Sequence, residues 1–97
     1  MKEIKVVLSN NDEVTLTEPN AGARNKALIK SVEYIEGRQE VNVLKFLTEL
    51  LPMMVSNHPW GLIPVNVALE KLSTKDYDSL VDELRKLISL DEFVKKN

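Results

Sequence analysis

From Ser73 to Ser89 the apolar residues return with the period of an α-helix. Tyr77, Leu80, Val81, Leu84, Leu87 and Ile88 fall on one stripe, the pattern of a helix that buries one face. Ser73 followed by Asp76 fits a capping-box-like start, with Asp in place of the usual Glu. Asp82 precedes Lys86 in the charge order that favours a helix. Such a helix needs an apolar partner surface, and the rest of the chain must supply it. Leu90 to Val94 either extend this helix or add a short turn, and Lys95-Lys96-Asn97 is a polar end.

The N-terminus reads differently. Lys2 to Leu8 (KEIKVVL) is rich in β-branched residues, and in Glu13 to Thr17 (EVTLT) Val14 and Leu16 alternate with polar partners. Ser9-Asn10-Asn11-Asp12 between them is a dense turn signal, because Asn and Asp tolerate left-handed backbone and bond to their own chain. The two segments predict a β-hairpin over 2–17, with Ile4, Val6 and Leu8 on the same face as Val14 and Leu16. A lone hairpin is marginal in water, so it must lie on something apolar.

Two helices are predicted between hairpin and final helix. The first runs from about Ala21 to Glu36, with Thr17 or Asn20 as cap, Ala21, Leu28, Val32 and Ile35 on its stripe and Gly37 as C-cap. Gly22 weakens its first turn by roughly 1 kcal/mol relative to alanine. The second starts near Val41. Val43, Leu44, Leu47, Leu50, Leu51 and Met54 form a broad stripe, with Phe46 and Met53 to one side. Pro52 removes a backbone bond and is expected to kink or end it near Leu51. Asn57 to Gly61 is a loop, and Pro64 opens a possible short helix with Val65, Ala68, Leu69 and Leu72 at helical spacing. The expected fold is α+β and mostly helical, one domain over 1–97, with an N-terminal β-hairpin packed on a small bundle of three to five helices over 20–97.

Chemistry-bearing constellations are sparse. His58 is the only histidine, and its loop neighbours Ser56 and Asn57 establish no catalytic partner. The acidic run Asp76, Asp78, Asp82 and Glu83 reads as a solvated helix face. Calcium-loop spacing is absent, and the scattered Gly22, Gly37 and Gly61 build no phosphate cradle. There is no cysteine, which excludes disulfides and thiolate chemistry. We therefore expect no enzyme, no cofactor and no metal site. The formal net charge is −2 with both signs interspersed, against a nucleic-acid partner. Met1 to Asn10 lacks the apolar core of a signal peptide, and no apolar stretch reaches membrane-spanning length, so a cytoplasmic location and no membrane contact are expected.

What remains is binding of other proteins. The apolar arc of the second helix is wider than one core face requires. Phe46, Met53 and Met54 are candidates for an adaptable contact surface, although methionine is also ordinary core filler. Trp60, the only tryptophan, either closes the core over the helix ends or anchors an interface.

The order of features resembles the tail assembly chaperones of long-tailed bacteriophages and related proviruses. A hairpin ending in a threonine/proline turn (EVTLTEP) leads to a helix with an alanine-rich start (AGARNKALIKSVEYIEG). An apolar middle helix (VNVLKFLTELLPMMV) and a closing segment (EKLSTKDYDSLVDELRKLI) follow. The likeness spans about Ile4 to Ile88, and Leu72-Ser73-Thr74-Lys75-Asp76-Tyr77 is its most specific piece. It implies a non-enzymatic role in which a tail tube or tape-measure protein is kept soluble before assembly, with self-association in some members. It also implies a short form, for which Lys95-Lys96-Asn97 would be encoded by a slippery A-rich run that leads to a longer frameshifted form. It carries over no catalytic residue. The competing expectation is a homo-oligomeric adaptor or regulatory interaction protein that uses the same apolar arc for a two-fold contact.

Overall fold

A computed structural model of the chain describes residues 2–88. The readings made for Leu90 to Val94 and for the polar end lie outside these residues. The domain is α+β, with N-terminal strands and, among the described residues, four helices.

The predicted hairpin forms. β1 (Glu3–Val7) and β2 (Glu13–Thr17) pair antiparallel, with Ile4 opposite Leu16 and Val6 opposite Val14. Val6, Leu8, Val14 and Leu16 are buried on the shared face. The turn works through its asparagines. Asn11 takes a left-handed φ of 70°, and Asp12 N donates to Asn10 Oδ1 at 3.1 Å. The pair is not left alone, because β5 (Val55–Asn57) adds to β2 and gives a three-stranded sheet in the order β1-β2-β5.

α1 (Ala21–Ser31) is capped by Asn20, whose side chain accepts from Ala23 N at 2.9 Å. The helix is shorter than its sequence suggests. Val32 and Ile35, read as helical stripe, belong instead to β3 (Val32–Ile35), which pairs with β4 (Arg38–Val41) in a separate two-stranded sheet. Gly37 is therefore no helix cap. It takes φ +79° beside Glu36 at φ +52°, the two positive values that a tight two-residue hairpin turn requires. The residues Val-Glu-Tyr-Ile favour an extended chain because β-branched and aromatic side chains lose rotamer freedom in a helix.

α2 (Val43–Met54) starts at the cap Asn42, whose side chain accepts from Lys45 N at 3.0 Å. It runs past Pro52, which occupies the last turn. A proline deletes one bond, here to the carbonyl of Thr48, and the helix ends at Met54 and not near Leu51. Phe46, Leu47, Leu50, Leu51 and Met54 are buried. α3 (Val65–Glu70) follows Pro64, which sits at its N-cap. α4 (Thr74–Leu87) starts at the cap Ser73, as expected, and buries Leu80 and Leu84 completely. α2 is the hub: it packs on α1, α3, α4 and β5, while α4 also lies against β1. No helix of the described residues is long and apolar enough to cross a membrane.

Asp76 departs from the solvated-face reading. It is only 8% exposed and accepts two bonds from the first hairpin, Ser9 N to Oδ1 at 3.0 Å and Ser9 Oγ to Oδ2 at 2.8 Å. Its own N–H donates to Ser73 Oγ at 3.2 Å. One half of the capping box is thus present, while the carboxylate turns away from its helix to clamp the β1–β2 turn. The Ser9 hydroxyl and N–H hold the Asp76 carboxyl below its ordinary range, more strongly than burial raises it. A lowered folded-state pKa stabilises the fold above the unfolded value and ceases to do so as pH falls through the folded one. Asp76→Asn is therefore expected to lower the melting temperature at neutral pH, and its deficit against wild type to shrink as pH drops below the normal carboxylate range. Thermal unfolding followed by circular dichroism across that range checks this, and a deficit independent of pH would contradict it.

Candidate functional site

α1 and α2 lie side by side, and the chain joins them through the β3–β4 arm. The base of the arm is a built junction. Asn42 N donates to Ser31 O at 2.9 Å, and the fully buried Ser31 closes α1 with its Oγ on Leu28 O at 3.0 Å. Asn42 Nδ2 also donates to Glu33 Oε1 at 2.9 Å. One asparagine therefore caps α2, ties the two helices together and holds the start of β3.

Beyond that junction the arm is exposed. All of β4 and most of β3 face solvent. The register pairs Val32 with Val41, Glu33 with Glu40, Tyr34 with Gln39 and Ile35 with Arg38. One face therefore carries Val32, Tyr34, Gln39 and Val41, and the other carries Glu33, Ile35, Arg38 and Glu40. Gln39 Nε2 donates to Tyr34 Oη at 2.8 Å and braces the ring across the strands. Tyr34 is 73% exposed, and Ile29 and Leu44, from the helices that bracket the arm, are 76% and 68% exposed. Val32, Ile35 and Val41 add further exposed apolar area. Single exposed apolar residues are ordinary, but several on one short hairpin make the arm the candidate contact surface among the described residues.

The four residues singled out from the sequence are dispersed. Phe46 and Met54 lie in the core, not at the surface, because they share the inward face of α2 with Leu50. Met53 is exposed, as a contact residue would be. Trp60 is half-buried against the core and stacks on His58, with ring centroids 5.1 Å apart. Trp60 N donates to His58 Nδ1 at 3.2 Å, so this histidine serves to hold its loop. Leu44, read as part of the buried stripe, faces out. The sequence reading missed the arm altogether, because Glu36-Gly37 is not one of the strong two-residue hairpin turns and its glycine fits a helix C-cap as well.

An open depression near the β1–β2 turn, lined by Lys5, Asp12, Thr15, Asn57 and His58 among others, is polar. No group of three or more His, Asp or Glu residues able to hold a metal ion occurs among the described residues. Compared with protein-family models, curated proteins and solved structures, the chain matches none.

Glu36 is the weak point of the arm. A non-glycine residue in the left-handed region costs about 1–2 kcal/mol, and asparagine accepts it more readily. Glu36→Asn is expected to slow amide exchange in β3 and β4 several-fold with little change in global melting, while Gly37→Ala speeds it. Among the described residues nothing lies within 4 Å of where a Cβ on Gly37 would stand, so the second effect would come from the backbone angle. Residue-resolved hydrogen exchange measures both.

Proposed function

We propose that this protein is a non-enzymatic protein-binding module of the tail assembly chaperone type, which holds a tail tube or tape-measure protein in solution during virion assembly. The observation that carries the reading is the solvent-exposed apolar surface of the β3–β4 arm with Ile29 and Leu44 at its base. A client that must later polymerise exposes apolar and strand-edge surface, and an arm of this kind can cover it reversibly. The sequence resemblance over Ile4 to Ile88 suggests the same role, although the segment it takes as one helix, Ala21 to Gly37, divides into α1 and the start of the arm.

A homo-oligomeric adaptor is the second reading, and the open edges of the arm favour it. The two differ in what the arm meets. Coexpression with the tail tube or tape-measure protein of the same virus is expected to raise that client's soluble fraction several-fold and to co-purify it. Tyr34→Asp combined with Leu44→Lys, both at strongly exposed positions, should return the client to the pellet without lowering the melting temperature. A client whose solubility is indifferent to the protein would remove the chaperone reading.

A further inference from the structure

Among the described residues the β3–β4 sheet has two strands, and each keeps an unpaired edge. The turn determines which backbone groups those edges present. Ile35 and Arg38 flank the two-residue turn Glu36-Gly37 and face each other, so they form a hydrogen-bonded pair, and Glu33 with Glu40 forms the next. The N–H and C=O groups of Gln39 and Val41 then point away from β3, along the free edge of β4.

A second copy adding antiparallel to that edge must match these outward groups with its own. Few two-fold registers do so. One sets Gln39 against Gln39 and thereby Arg38 of each copy against Glu40 of the other. Shifting it one way sets Glu40 against Glu40, and shifting it the other way sets Arg38 against Arg38. Like charges directly opposite are destabilising and opposite charges stabilising. In the favoured register both ion pairs fall at non-hydrogen-bonded positions, where cross-strand side chains are closest. The same register answers a tension within one chain, where Glu40 stands opposite Glu33. The other edge offers nothing comparable, because the registers of β3 set Glu33 against Glu33 or against Ile35.

We propose that the protein forms a two-fold dimer through antiparallel pairing of β4 with β4 of a second copy, centred on Gln39, with Arg38 of each copy against Glu40 of the other. The product is a four-stranded sheet whose Val32, Tyr34 and Val41 face is continuous across both copies. This rests on the arm being an interaction surface and not on the identity of any client.

Sedimentation equilibrium of the full chain, from low micromolar to near-millimolar concentration, tests it by charge exchange. Wild type is expected to dimerise. Arg38→Glu and Glu40→Arg each convert two attractions into two repulsions and should weaken the dimer about tenfold or more. The double variant R38E/E40R restores opposite charges and should restore the dimer, and an equimolar mixture of the two single variants should form a heterodimer. Glu40→Arg places an arginine opposite Glu33, so its loss of dimer cannot be put down to a destabilised arm. A wild type that stays monomeric, single variants that dimerise as well as wild type, or a double variant as weak as the singles would each overturn the proposal. If charge exchange works while the client stays insoluble, the chaperone reading fails and the dimer stands.

Discussion

α2 sits where every other layer has to meet it. Its inward arc, from Phe46 through Leu47, Leu50 and Leu51 to Met54, is buried against α1, α3, α4 and β5. A chain of this size can bury only one modest core, so removing α2 would leave the remaining elements with little to pack on. Truncating a fully buried leucine there, such as Leu50, belongs to the class of changes that cost about 2–5 kcal/mol. Pro52 fits the same logic. It stops the helix within one turn, and the next residues, Val55 to Asn57, complete the sheet by pairing with β2. The helix end and the third strand are thus one event in the chain.

The arm follows from the packing of α1 on α2. Asn42 N already bonds Ser31 O, so the chain leaves α1 and re-enters α2 at nearly the same place. Nothing between Val32 and Val41 is needed to connect the helices, which short links commonly join. A detour that contributes little to the core yet carries Tyr34, Ile35 and two valines costs conformational entropy with no packing return inside one chain. That imbalance is the physical reason to look for its return in a contact with another molecule.

The legible parts of the sequence were those where local chemistry and burial agree. The β1–β2 hairpin, its Asn-rich turn and the Ser73 cap all satisfy their own backbone while presenting one apolar face. The arm was illegible because Val32 and Ile35 fit a helical stripe with Leu28 and a strand equally well. β5 was illegible because three residues make no period and its pairing to β2 lies far off in sequence. The guesses of a surface position failed at Phe46 and Met54 for another reason, whereas Met53 is exposed. A broad apolar arc such as that of α2 does not say where its centre lies, and packing from both sides put Phe46 and Met54 inside and Leu44 outside. Asp76 read as one charge of a solvated face, since only the fold brings Ser9 to it.

An exposed edge with apolar faces is the usual template for indiscriminate strand addition. β4 counters this through the alternation of its charges. Arg38 and Glu40 share one face of the strand, two residues apart, with an uncharged Gln39 between them. A neutral strand added to this edge leaves both charges partly desolvated and unpaired, and a copy in a shifted register meets repulsion. Charge order therefore does on the edge what the apolar residues on the faces cannot do. In the proposed dimer it would favour one partner strand in one register, while the faces would remain free to meet a surface of less exacting shape. A specific self-contact and a permissive client contact can thus occupy the same short hairpin, because the first uses the backbone edge and its flanking charges and the second uses the side chains that stand perpendicular to it.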